Sequence, residues 1–185
     1  KSSNDVTLSA NTTVTGTLTL TSGDITGSSY LQASNAISGG SSSSMVSAPL
    51  RASFSGTGSF SYPVGDGSNY RPATFEYLSG SFGGTSDIQI QFDTSGYSTG
   101  TDPTDIDSIT SAPQGNNHYI LTHAGTDPTS FSYRFTGTYE DGYPPGMGAN
   151  PSNETRVRVL RQISSTPTWE MGSNDTHNVI TNIAS

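Results

Sequence analysis

Val6-Thr7-Leu8-Ser9-Ala10-Asn11-Thr12-Thr13-Val14-Thr15-Gly16-Thr17-Leu18-Thr19-Leu20-Thr21 decides the fold class of this chain. The even positions hold Val6, Leu8, Ala10, Thr12, Val14, Gly16, Leu18 and Leu20, while every odd position is Thr, Ser or Asn. A strand sends alternate side chains to opposite faces, so this segment can bury one face and wet the other. As a single strand at ~3.3 Å per residue it would run about 50 Å, far beyond the usual ~5–6 residues. It carries no Lys, Pro or charge, the devices that blunt an exposed edge. Three outcomes stay open: the segment folds back, stacks as a coil, or pairs with another molecule. The third makes residues 4–22 a candidate donor strand, with Val6, Leu8, Val14, Leu18 and Leu20 as its assembly side chains.

Working outward, residues 1–50 form a Thr/Ser/Gly-rich segment with apolar residues at Leu8, Val14, Leu20, Ile25, Leu31 and Ile37. A spacing near six resembles the rungs of a parallel β-solenoid, in which each short strand stacks on the next. Periods of two and six are compatible, so long strand and coil remain alternatives. The run Gly39-Gly40-Ser41-Ser42-Ser43-Ser44 then reads as a flexible loop that breaks the rhythm. Residues 51–185 read as a second domain of strands separated by turn signals at sandwich-like spacing. The expected strands are Ala52–Phe54, Gly58–Tyr62, Ala73–Ser79, Asp87–Phe92, Tyr119–Thr122, Ser130–Thr138, Arg156–Gln162, Trp169–Met171 and Asn178–Ile183. No ten-residue stretch has helical periodicity. The expectation is all-β, with extended or solenoid-like N-terminal strands packed on an antiparallel, jelly-roll-like β-sandwich.

Composition agrees. Apolar residues are 30% and charged residues 12%, whereas disordered chains are poor in the first and rich in the second. Thr favours strands, and Ser, Gly and Asn favour turns. The net charge is −8 and the cations are Lys1 and the arginines, too few to neutralise a run of phosphates, so nucleic acid is not an expected partner. No apolar run approaches the ~20 residues of a membrane span. Absence of Cys excludes disulfides, thiolate metal sites and thiol catalysis. With Lys1 the only lysine, lysine-based covalent staples have no place in a core either. A first residue other than Met reads as a mature form whose leader has been removed, although a trimmed sequence looks the same.

The stretch Ser59-Phe60-Ser61-Tyr62-Pro63-Val64-Gly65-Asp66-Gly67-Ser68-Asn69-Tyr70-Arg71-Pro72 resembles a recurrent β-rich module of large secreted and cell-surface proteins of Bacteroidetes-type bacteria. There a Thr/Ser-rich solenoid leads through a Gly-Gly-Ser loop into the segment, a step matched here by Ser44-Met45-Val46-Ser47-Ala48-Pro49-Leu50-Arg51. Arg156-Val157-Arg158-Val159-Leu160-Arg161 and Thr168-Trp169-Glu170-Met171-Gly172 are similar to its closing hairpin. The likeness covers most of residues 14–185 and implies export across the outer membrane and an extracellular or cell-surface location. The resembling modules continue past their Asn-Ile-x-Ser with a further aromatic strand, whereas this sequence stops at Asn182-Ile183-Ala184-Ser185. A shorter or cut variant accounts for that. The alternative is a sandwich lacking its last strand, whose groove a neighbour's extended segment fills.

Catalytic and metal signatures are weak. Gly96-Tyr97-Ser98-Thr99-Gly100 matches the nucleophile-elbow pattern, but Thr101-Asp102-Pro103 does not start the required helix. His118 and His123 lie five apart and would face opposite sides of a strand. Asp93, Asp102, Asp105 and Asp107 are weak candidates for Ca²⁺, without the EF-hand pattern. No other cofactor is expected. Asp66 reads as a turn residue whose carboxylate bonds local amides. Tyr139 and Tyr143, in a long Gly/Pro-rich loop, and Trp169 could stack on a sugar, although a stiffened connection and a core Trp are the plainer readings. Asn11, Asn153 and Asn174 sit in formal N-glycan acceptor triplets, and Ser108 in Asp107-Ser108-Ile109 resembles an O-glycosylation site. The expected function is a structural subunit of an extracellular filament, tube or surface layer, a homopolymer joined by β-strand addition. The alternative is a glycan-binding or adhesive surface module; an enzyme is not expected.

Overall fold

The computed structural model describes residues 4–94, 118–138, 160–162, 169–171, 177–178 and 183–184. Those residues are all-β, with no helix among them. The N-terminal segment resolves the open alternatives in favour of a coil. β1 (Val6–Thr7), β2 (Thr12–Val14) and β3 (Leu18–Leu20) form one turn, and β4 (Ile25–Thr26), β5 (Leu31–Ala33) and β6 (Ile37–Gly39) form the next. Each strand pairs in parallel with its counterpart, at Val6↔Ile25, Thr12↔Leu31 and Leu18↔Ile37. Of the two readings left open, the single 50 Å strand falls: residues 4–22 bend around three faces, and six residues carry the chain from one face to the next.

Side chains stitch the turns together. Asp5 Oδ1 accepts from the Asp24 amide at 2.7 Å and Asn11 Oδ1 from the Tyr30 amide at 3.2 Å, each 19 residues on. Thr7 and Thr26 hydroxyls meet at 3.1 Å, and Thr19 and Ser38 at 3.0 Å. These polar ladders let a Thr-rich surface satisfy its own hydrogen bonds while Leu18, Leu20 and Leu31 turn inward. The Gly39–Ser44 run is also corrected, from flexible loop to tight turn. Ser41 and Ser44 exchange backbone hydrogen bonds of 2.8 and 3.1 Å, and the buried Ser44 hydroxyl donates to the Gly23 carbonyl at 3.0 Å. The turn lengthens this step, so Ile25 pairs with Val46.

Residue 50 opens β7 (Leu50–Phe54), a strand that belongs to both halves of the chain. It runs parallel to β5 on one side (Leu31↔Leu50) and antiparallel to β10 (Ser86–Asp93) on the other (Ile90↔Leu50). One five-stranded sheet results, in the order β11-β10-β7-β5-β2, with β11 at His118–Gly125. β8 (Gly58–Tyr62) pairs antiparallel with β9 (Ala73–Ser81), beside which lies β12 (Thr129–Thr138). Leu31, Leu50, Ala52, Phe54, Ile88 and Ile90 of the first sheet share one buried cluster with Tyr62, Phe75 and Tyr77 of the second. Burying each Leu, Ile or Phe among them contributes about 1.5–3 kcal/mol. Tyr62 is buried, its hydroxyl donating to the Ile88 carbonyl at 3.0 Å; desolvation holds that phenol well above its usual range.

The chain divides into two compact units, 1–93 with 119–136, and 94–118 with 137–185. In the second, β13 (Leu160–Gln162) pairs with β14 (Trp169–Met171), and Gly137–Thr138 pair with β16 (Ile183–Ala184), itself paired with β15 (His177–Asn178).

The turn after β8 behaves as expected of Asp66. Its Oδ1 accepts from the Ser68 and Asn69 amides at 2.6 Å each, and its Oδ2 from the Asn69 side chain at 2.9 Å. Partial burial pushes this carboxyl up, but the bonds from Asn69 and Ser68 and the nearby Arg71 charge outweigh it, leaving it below its ordinary range. A lowered folded pKa means that its stabilisation is complete above the unfolded value, about 4, and lost as pH falls through the folded one. Asp66→Asn should therefore melt below the parent at pH 7, with the gap closing on acidification; a constant gap across pH would show that the charge plays no part.

Candidate functional site

The most distinctive surface of the first unit is an apolar groove of about 240 Å³. Phe75 and Tyr77 of β9 form its floor with Ile88 of β10; Leu121 and His123 of β11 and Phe131 and Tyr133 of β12 form its walls. Period-two alternation puts these residues there: Phe75 and Tyr77, like Phe131 and Tyr133, are two apart and share a face. Phe75 stacks on Tyr133 with ring centroids 5.4 Å apart, and Tyr77 meets Phe131 edge-on at 5.9 Å. The core is nonetheless incomplete here, since Leu121, Phe131 and Tyr133 remain 40%, 47% and 39% exposed. A cavity of ~150 Å³ lined by apolar groups admits a benzene, so the groove has room for one large or two small apolar side chains.

A polar chain lies under the same wall. The Tyr77 hydroxyl is 2.9 Å from Ser86 Oγ, which is 3.1 Å from His123 Nε2, and His123 Nδ1 is 3.1 Å from Asp127 Oδ1. The order of atoms is that of a Ser-His-acid relay. Its burial is the reverse of one: Ser86 has no exposed surface, and the Asp127 side chain is 87% exposed. A nucleophile must touch its substrate, and an orienting acid works from a dry site. The arrangement instead ties β10, β11 and β9 together and satisfies two hydroxyls inside an apolar core. Ser86→Ala should cost about 1–3 kcal/mol in denaturant unfolding, because the Tyr77 hydroxyl loses its buried partner. A cost below about 0.5 kcal/mol would mean that the hydroxyl re-partners.

The second feature is the outer edge of the coil. In a parallel ladder, successive residues turn their backbone groups to opposite sides. The amides of Val6, Leu8 and Thr12 donate to Asp24, Thr26 and Tyr30 of the next turn. Thr7 and Thr13 consequently face away, where no strand pairs among the described residues. In the sheet that holds β2, β11 is the last strand at the other end of the order among the described residues.

The expected assembly residues divide. Leu20 is buried, and Leu8, Val14 and Leu18 pack against the chain's own core; Val6 is 56% exposed. Asp93 ends β10, while Asp102, Asp105, Asp107, Ser108, Tyr139, Tyr143, Asn153, Asn174 and the Gly96–Gly100 pattern lie outside the described residues. Trp169 begins β14 opposite Gln162. Among the described residues no cluster of three or more His, Asp or Glu side chains could hold a metal, and no helix is long and apolar enough to cross a membrane. Sequence reasoning missed the groove and the Ser86–His123 tie because both join separate strands. No family model matches the chain, and comparison with curated proteins and with solved structures found no match.

Proposed function

We propose that the chain is a structural subunit of an extracellular assembly, a filament, tube or surface layer, joined by β-strand addition between copies. In this reading the two sheets form a jelly-roll-like sandwich, and the coil is its extension. The observation that carries it is an apolar groove whose Leu121, Phe131 and Tyr133 walls stay part-exposed, in a unit whose coil edge meets no strand among the described residues. Exposed edges without Lys, Pro or bulges are templates for another strand, and strand addition supplies backbone bonds and pocket-filling side chains together. The likeness to secreted surface modules supports the extracellular setting.

The concentrated protein should sediment as oligomers that dissociate on dilution, and negative stain should show long ordered polymers. A monodisperse monomer at every concentration rules the proposal out. The exposed Phe131 and Tyr133 rings favour a second reading, a glycan-binding or adhesive module, since such rings stack on sugars. Polysaccharide titration that leaves the NMR signals of both rings unmoved disposes of it.

A further inference from the structure

We infer that the chain of hydrogen bonds from Tyr77 through Ser86 to His123 is a latch that closes only while His123 is neutral, so that acid opens the wall of the groove. The inference does not rest on the assembly reading, because every group in it belongs to one chain.

The argument counts hydrogens. Asp127 Oδ1, as a carboxylate oxygen, can only accept, and it lies 3.1 Å from His123 Nδ1, so Nδ1 carries the ring proton. In the neutral ring Nε2 is then a bare acceptor, 3.1 Å from Ser86 Oγ. The Ser86 hydroxyl donates to Nε2, and the Tyr77 hydroxyl donates to Ser86 Oγ at 2.9 Å. Two gaps hold two hydrogens, and each hydrogen has an acceptor. Ser86 has no exposed surface and Tyr77 is 3% exposed. Among the described residues neither hydroxyl has a further partner.

A proton added at Nε2 breaks the count. Hydrogens on Nε2, Ser86 and Tyr77 then share the same two gaps. Whichever way the hydroxyls turn, one hydrogen points into a dry interior without an acceptor. Against this stands Asp127, the one charged group that meets the ring among the described residues. From β9 and β12 the phenols of Tyr77 and Tyr133 line the same groove as the ring. β10 presents Ser86, while its Asp87 lies on the other face of the sheet and accepts from Ser53 at 2.6 Å. Glu76 and Arg134 pair with each other at 3.4 Å, on the face of β9 and β12 turned away from the groove. The Asp127 side chain is 87% exposed. An ion pair in solvent contributes little, less than an unpaired buried hydroxyl costs, so the closed latch disfavours the charged ring.

The charged ring has a place to go. Its side chain is already 32% exposed, and Asp127 stands in solvent beside it. Turned outward, the imidazolium keeps the carboxylate and gives up Ser86. The side-chain tie from β9 and β10 to β11 is then lost beside Leu121 in the groove wall.

Imidazole is the side chain that ordinarily titrates between about pH 5 and pH 8, and the test uses those limits on the whole protein. Nitrogen NMR at about pH 8 should find Nδ1 of His123 protonated and Nε2 bare. Amide exchange along β10 and β11, corrected for the intrinsic effect of pH, should be about tenfold faster at pH 5 than at pH 8. His123→Gln puts a neutral amide where Nε2 stands and keeps His118 and His177; its exchange should stay within about twofold over the same range. Parental exchange that does not respond to pH overturns the latch, as does an acceleration that survives in His123→Gln. A proton found on Nε2 at pH 8 overturns it in the parent alone, so the test holds even where the variant fails to fold.

Discussion

Replacing Leu50 by alanine is expected to lower the unfolding free energy by about 3–4 kcal/mol, towards the upper part of the range for truncating a buried leucine. Leu50 has no exposed surface. It stands in register between Leu31 of the coil and Ile90 of the antiparallel sheet, with a paired strand on each side of β7. The backbones flanking the lost side chain are held by those ladders, so the cavity cannot close by moving a strand. The effect should appear as a shifted denaturant midpoint with unchanged slope, because coil and sheet share one core and unfold together. Val6→Ala, at the exposed edge, should change stability by less than about 0.5 kcal/mol. A Leu50→Ala cost below about 1 kcal/mol would show that coil and sheet do not share this core.

How much of this was legible depends on the range of the information. Strands whose pattern is local were readable: Gly58–Tyr62 and Trp169–Met171 have the expected bounds, and β10 and β12 differ from expectation by a residue at an end or two. The choice between long strand and coil was not, because six is even and a face change every six residues preserves the two-residue alternation. The deciding contacts, Asp5 with Asp24 and Asn11 with Tyr30, lie 19 residues apart. Composition misled at Gly39–Ser44, where a polar, small-residue run reads as solvated until Ser44 meets the Gly23 carbonyl across a turn. The groove was not legible, because its lining is drawn from four separate strands, β9 to β12. Its tie, Ser86 to His123, spans 37 residues and has no local pattern. His123 and Asp127 did carry one, a His and an Asp four apart around a turn.

Gly39→Ala should cost about 2–4 kcal/mol, and the reason lies in how the coil stacks. Gly39 has φ +81° and sits opposite Leu20 in the parallel β3–β6 pair. A side chain in that left-handed region costs roughly 1–2 kcal/mol by itself. The added Cβ would also run into the Leu20 carbonyl oxygen. That atom is backbone and cannot rotate aside, so the two turns must separate, at about 1–3 kcal/mol for overpacking. Gly16, in the first turn, has nothing within 4 Å of its Cβ position, and Gly16→Ala should leave stability within about 0.5 kcal/mol of the parent. Thermal melts of the two variants make the comparison, and amide exchange at Leu20 and Ser38 locates the damage. If Gly39→Ala melts with the parent, β3 and β6 do not stack in this register, and the first turn has no template on which to coil.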